Sequence, residues 1–166
     1  MIMKKEIVTL GKEHFEMLED TARKIWYESY SELLGSAQIE YMLNKFLSVK
    51  AFEQQMKEDY IYRGLFIDGK LAGFAGSQKQ GERIFLSKLY LEKKYHHLGL
   101  GGELMSDTIA LYPECNKIYL TVNKHNRSFD IYRHLGIEVI DSVVTDIGNG
   151  YVMDDYIMQL DVEDKQ

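Results

Sequence analysis

Cysteine is nearly absent: Cys115 stands alone among 166 residues. No disulfide can form within the chain, and a reducing, cytoplasmic setting is the expectation. Proline is equally scarce, with Pro113 the single example. It disfavours helical geometry in the residue before it, so the helix approaching it must end at Tyr112. No apolar run approaches the length of a membrane span, and Met1-Ile2-Met3-Lys4-Lys5-Glu6 lacks the apolar stretch of a secretory signal. Positive charge is in deficit, with 20 Lys and Arg against 26 Asp and Glu and a net charge of -6. That balance excludes a nonspecific nucleic-acid binder and leaves no reason to expect a membrane partner. Repeats, low-complexity tracts and linkers are missing too, so one domain spanning 1–166 is expected.

What is present is ordinary globular material, 45% hydrophobic and 28% charged, enough to bury a core without metals. Lys4 to Leu10 reads as a strand. Phe15, Leu18, Ala22, Ile25, Ser29 and Leu33 then recur at steps of three and four, predicting a long helix broken at Gly35-Ser36. Ile39, Met42, Leu43, Phe46 and Leu47 predict a second helix, and Ala51 to Glu58 a short third. Tyr60 to Ile67, Asp68-Gly69 and Lys70 to Gly76 form a hairpin signal. Arg83 to Leu91 reads as a longer strand with Phe85, Ser87, Leu89 and Leu91 on one face.

A helix from Leu100 to Tyr112, a strand from Lys117 to Val122 and a helix from Asn126 to Leu135 follow, the last capped by Gly136. Ile137 to Thr145 and Tyr151 to Leu160 close the chain as strands. The class is α+β, built on a mostly antiparallel, twisted sheet.

Gly99, Gly101 and Gly102 fall between a strand and a helix. Glycine there permits positive φ and close approach of a ligand to main-chain amides, and the following helix start favours phosphate. A dinucleotide fingerprint needs glycine or alanine where Leu104 stands, and a P-loop needs a Gly-Lys-Ser/Thr that is missing. Lys88, Lys93, Lys94, His96 and His97 surround the turn with only Glu92 opposing, and Lys124, His125 and Arg127 follow the next strand. A local positive field of this kind suits a polyphosphate. The same residues also describe a tight turn with a solvated basic rim, and the residues alone leave both readings open.

His96-His97-Leu98-Gly99-Leu100-Gly101 resembles the pyrophosphate motif Gln/Arg-x-x-Gly-x-Gly/Ala of the GNAT acetyltransferase superfamily, with histidine in the first place. Leu86 to Glu92 is similar to the strand that precedes that motif. Asn126 through Tyr132 to Leu135-Gly136-Ile137 resembles the family's Asn-x-x-Ala-x-x-Tyr-x-x-Leu-Gly-Phe segment, with Ser128 for alanine and Ile137 for phenylalanine. The tail from Asp146 to Tyr156 is similar to bacterial members near the polyamine-acetylating type.

The resemblance implies a GNAT-like three-layer fold, a mixed and mostly antiparallel sheet with helices on both faces. It implies acetyl-CoA as co-substrate; no metal is expected, because adjacent residues such as His96 and His97 rarely point at one ion and no third ligand stands at helpful spacing. Leu89, Tyr90 and Leu91 would offer their strand to the pantetheine arm. His96, His97, Leu98, Gly99, Leu100, Gly101 and Gly102 would surround the pyrophosphate. Asn126 would hydrogen-bond the pantetheine arm, and Tyr132 would stand near the sulfur as general acid. By spacing alone Tyr132 reads as a core aromatic, one turn from Phe129 and Leu135.

Glu28, Glu82, Asp154 and Asp155 are candidate bases, none of them singled out. Trp26, Tyr27 and Tyr30 on the first long helix fit core packing or acceptor contact. The expected partner is a small primary amine such as a polyamine, drawn by Asp141, Asp146, Asp154 and Asp155, with the chain a monomer or homodimer. Acetylation of a protein N-terminus or lysine, or CoA sensing without catalysis, are the competing readings.

Overall fold

The computed structural model describes residues 3–162; Met1 and Ile2 of the N-terminal segment considered above lie outside it. The strands are β1 (Lys5–Thr9), β2 (Ile61–Ile67), β3 (Lys70–Gln80), β4 (Arg83–Leu91), β5 (Lys117–Asn123), β6 (Glu138–Gly148) and β7 (Tyr151–Asp161). The helices are α1 (Phe15–Tyr30), α2 (Ser36–Phe46), α3 (Val49–Lys57), α4 (Leu100–Ala110) and α5 (Ser128–His134). One seven-stranded sheet runs β1-β2-β3-β4-β5-β7-β6. Only β4 and β5 pair in parallel, and the other neighbours are antiparallel. This is the mixed sheet expected from the sequence.

Helices cover both faces. The apolar stripe of α1, Phe15, Leu18, Ala22, Ile25 and Trp26, joins Ile39 and Leu43 of α2 and Phe52 of α3 over Tyr62, Leu71 and Phe74. Ser48 caps α3 by accepting from the Ala51 amide at 3.2 Å. On the opposite face Leu100, Leu104 and Met105 of α4 pack on Leu65, Ala75, Ile84, Leu86, Ile118 and Met158. Asp68 and Gly69 take φ of 50° and 83°, as a two-residue hairpin turn demands, and Asn149 and Gly150 do the same between β6 and β7.

One expectation fails inside β4. Gly76 of β3 faces Lys88, but the next residue, Ser77, faces Leu86, so Ser87 is an extra residue on the β4 side. This β-bulge reverses the alternation beyond it. Phe85 stacks on Tyr119, whereas Leu89 and Leu91 pack with the α4 core and Tyr90 with the α1 core. Phe85, Leu89 and Leu91 therefore do not share a face.

The β3–β4 pair is tight. A Cβ on Gly73 would lie 2.5 Å from the Tyr90 carbonyl oxygen, a main-chain atom that cannot swing aside. We expect Gly73→Ala to destabilise the protein by about 1–3 kcal/mol, the usual cost of overpacking. Chemical denaturation measures it; an unchanged midpoint would contradict the close approach.

Candidate active site

The parallel β4–β5 ladder is short. Arg83, Ile84 and Phe85 face Lys117, Ile118 and Tyr119, and pairing stops there although both strands continue. From Leu86 to Tyr90 and from Leu120 to Asn123 the strands are the walls of a cleft. Trp26 and Tyr30 of α1, Met42 of α2, Asn126 and Tyr132 beyond β5, and Met153 and Asp155 of β7 complete it.

The open edge of β4 presents unused main-chain groups. The Glu92 amide donates to Ala72 on the β3 side at 2.9 Å. By strand alternation Tyr90 also turns toward β3, while Leu89 and Leu91 turn their N–H and C=O toward the cleft. The His96 ring nitrogen, 2.9 Å from the Leu91 carbonyl, approaches from that open side. Its amide donates to the Lys93 carbonyl at 3.1 Å. His96 is thus a brace between the end of β4 and the turn, with its Nε2 and its amide already engaged.

The turn then reverses through His97 (φ 66°) and Gly99 (φ 76°) into α4. Glu103 donates to Gly99 at 3.2 Å. The amides of Leu100, Gly101 and Gly102, in the first turn, have no intrahelical acceptor. A Cβ on Gly99 or Gly101 would meet nothing within 4 Å, and one on Gly102 only Leu135, at 3.6 Å. The turn is thus an open cradle of amide donors at a helix N-terminus, with chemistry that fits a pyrophosphate.

The basic rim is smaller than the sequence suggests. Lys88 is 7% exposed and belongs to the cleft wall. Its ammonium lies 3.2 Å from the Gln55 and Ser87 side-chain oxygens, between the rings of Tyr60 and Tyr62. The reversal at Ser87 is the reason it points inward. Burial brings its pKa down to about 7. Lys124 is drawn to Asp154 at 3.0 Å, and Glu92 holds Lys24 at 3.1 Å with Lys94 3.9 Å away.

Asn126 is engaged on two sides. Its Oδ1 accepts from the Ser128 amide at 2.8 Å, opening α5, and its Nδ2 donates to the Tyr30 hydroxyl at 2.7 Å. Burial pushes the Tyr30 hydroxyl up to about 12. Tyr132 lines the cleft and packs against the α4-side core. Its hydroxyl is raised well above the tyrosine range by burial, with Tyr30 adding to the shift.

Of the four candidate bases only Asp155 reaches the cleft. It is 3% exposed, and burial pushes its pKa up to about 6, with Asp154 contributing. Glu28 instead accepts from the Lys93 amide at 3.5 Å. Asp141 and Asp146 accept from Ser142 and Gly148 on the exposed face of β6, outside the cleft. Tyr30, expected mainly as packing, is the residue whose position the sequence signals least.

The family model for the acetyltransferase (GNAT) domain matches residues 29–158. The chain belongs to this family and is an N-acetyltransferase that uses acetyl-CoA. The spermidine N(1)-acetyltransferase of Thermoplasma acidophilum is 26% identical over 157 residues, covering 90% of this chain and 95% of that protein. The spermine/spermidine N(1)-acetyltransferase of Bacillus subtilis is 26% identical over 105 residues, 55% of this chain and 69% of that one. The fold is similar to that of the PaiA N-acetyltransferase of T. acidophilum, solved in complex with coenzyme A. The TM-score is 0.81 at 24% identity, with 96% of this chain and 99% of that one covered. No described helix is long and apolar enough to cross a membrane.

Asn126→Ala removes both the hydrogen bond to the Ser128 amide at the start of α5 and the one to Tyr30. We expect a loss of about 1–2 kcal/mol, from one capping contact and one hydrogen bond. Thermal unfolding reads it, and Asn126→Asp, which keeps the acceptor for Ser128, should recover part of the loss.

Proposed function

We propose that the chain acetylates a primary amine of a small molecule of the polyamine kind, with Tyr132 as the proton donor to the leaving sulfur. The separation of β4 from β5 beyond Phe85 and Tyr119 carries this reading. It leaves the inner groups of Leu89 and the Leu91 amide free to add hydrogen bonds to an extended, amide-bearing arm, the Leu91 carbonyl being held by His96. Tyr90 backs that edge from the β3 side. His97 to Gly102 form the cradle for the diphosphate, with His96 bracing it from behind. Asn126 borders the arm with its remaining amide hydrogen.

Acetyl-CoA supplies an activated acyl group on sulfur. The chain must deliver a neutral amine to it and a proton to the departing thiolate. The burial of Tyr132 keeps its hydroxyl protonated across the neutral range, so the donor is present at every working pH. No hydrogen bond from another described side chain engages that hydroxyl, which leaves it free to turn toward the sulfur.

A small cationic amine is favoured over a peptide by the acceptor end of the cleft, where the buried carboxyl of Asp155 lines the wall beside Tyr30, Met42 and Met153. The resemblance to spermidine and spermine acetyltransferases supports the same choice.

Calorimetry with CoA and a thiol-release assay over polyamines, other primary amines and peptides test the proposal. We expect binding of CoA and turnover of a polyamine. Tyr132→Phe should retain the fold and CoA affinity and lose about 10²–10⁴-fold in kcat. Full activity in that variant rejects the acid role, and turnover of peptides alone rejects the small-amine acceptor.

A further inference from the structure

We propose that Asp155 receives the ammonium of the acceptor and removes its proton before acetyl transfer. The inference rests on the function proposed above and names the proton acceptor of that same site.

Asp155 stands on β7 opposite Asn123, at the end of β5 where the cleft is open. Its residue is 3% exposed, yet it lines the cleft, and no described side chain gives its carboxylate an ion pair or a hydrogen bond. Buried carboxylates are normally paired, because an isolated one loses its hydration without compensation. Asp154, one residue earlier and half exposed, pairs with Lys124 at 3.0 Å instead.

The groups around Asp155 do not neutralise it. Tyr30 of α1 is tied to Asn126, Asn123 of β5 accepts from the His125 amide through its side-chain oxygen, and β6 places Val143 opposite. Lys88, the other charged group of the cleft, is held by Gln55 and Ser87. A carboxylate left in this state is poised for a cation from outside. Burial and Asp154 raise its pKa to about 6, which narrows the gap to an alkylammonium near 10.4.

The step balances. The acceptor R–NH₃⁺ gives one proton to Asp155, and the freed lone pair forms the C–N bond at the thioester carbon. The C–S bond breaks, and sulfur takes the Tyr132 proton. The second proton leaving nitrogen restores Tyr132 through water, and the proton on Asp155 passes to solvent. Ammonium and acetyl-CoA thus yield amide, CoA thiol and one H⁺.

The test uses the full chain with the best amine from the panel, across about pH 5–9, in wild type, Asp155→Asn and Asp155→Glu. Wild-type kcat/KM should fall below about pH 6, where Asp155 protonates. Asp155→Asn should lower kcat by about 10²–10⁴-fold with the KM for acetyl-CoA unchanged and the acid limb gone. Asp155→Glu should restore part of it.

Stability supplies a readout that a merely structural role would not give. The folded-state pKa lies above the ordinary carboxylate value, so the native state gains stability as pH falls through about 6. Removing the charge should therefore raise the melting temperature of Asp155→Asn near pH 7.5. Undiminished kcat in Asp155→Asn, or a rise in the amine KM alone, overturns the proton role. A lower melting point with lost CoA binding does so as well. A wild type that binds CoA but acetylates no amine rejects the function itself, a result visible before any variant is made.

Discussion

The site depends on how briefly β4 and β5 hold each other. Three residue pairs join them, fixed by the stacking of Phe85 on Tyr119 at 4.9 Å and by Arg83 over the same ring at 4.1 Å. Beyond that clasp each strand follows its other neighbour. β4 is drawn to β3, where Gly73 admits the Tyr90 carbonyl into close contact, and β5 pairs with β7 along its whole length. The sheet therefore opens at its centre while the strands within each half stay paired. An opening made in this way exposes main-chain donors and acceptors of β4 at a fixed spacing. A side-chain pocket would need separate residues to supply them.

The Ser87 bulge decides what the opening contains. Without the extra residue, Lys88 would share the α4 face with Ile84 and Leu86, and Leu89 would turn toward α1. With it, Lys88 and Tyr90 enter the α1 side, and Leu89 and Leu91 seal against α4. One inserted residue thus exchanges the polar and apolar lining of two layers. Bulges recur beside active sites for this reason.

These facts mark the boundary of what the sequence makes legible. The hairpin at Asp68-Gly69, the stripe of α1, the glycine turn before α4 and the cap at Gly136 are local, and each residue's own stereochemistry announces them. The order of strands and helices followed from such signals. Lys88 did not, because its direction depends on a register shift set by the pairing of β3 with β4. Asp154 and Asp155 look alike in sequence; only the pleat of β7 sends one to Lys124 and the other into the cleft. Likewise the His96 ring bonds the Leu91 carbonyl, a contact that requires the end of β4 and the turn to have met.

The cleft also has a common electrostatic character. Burial is the first cause of the shifts of Tyr30, Tyr132, Lys88 and Asp155, and in each case it favours the neutral form. Lys88 is informative here because its side chain ends in a primary alkylamine. On the wall of this cleft that amine falls from 10.5 to about 7, by desolvation alone. An acceptor amine entering the same surroundings meets the same loss of hydration, and its ammonium becomes correspondingly easier to deprotonate. The carboxyl group waiting there has moved the opposite way, to about 6. Two groups that differ by more than six pKa units in water are thus brought to within about one by a shared environment. On the proposed reading, the desolvation that shifts Lys88 and Asp155 also eases a proton transfer that is steeply uphill in solvent.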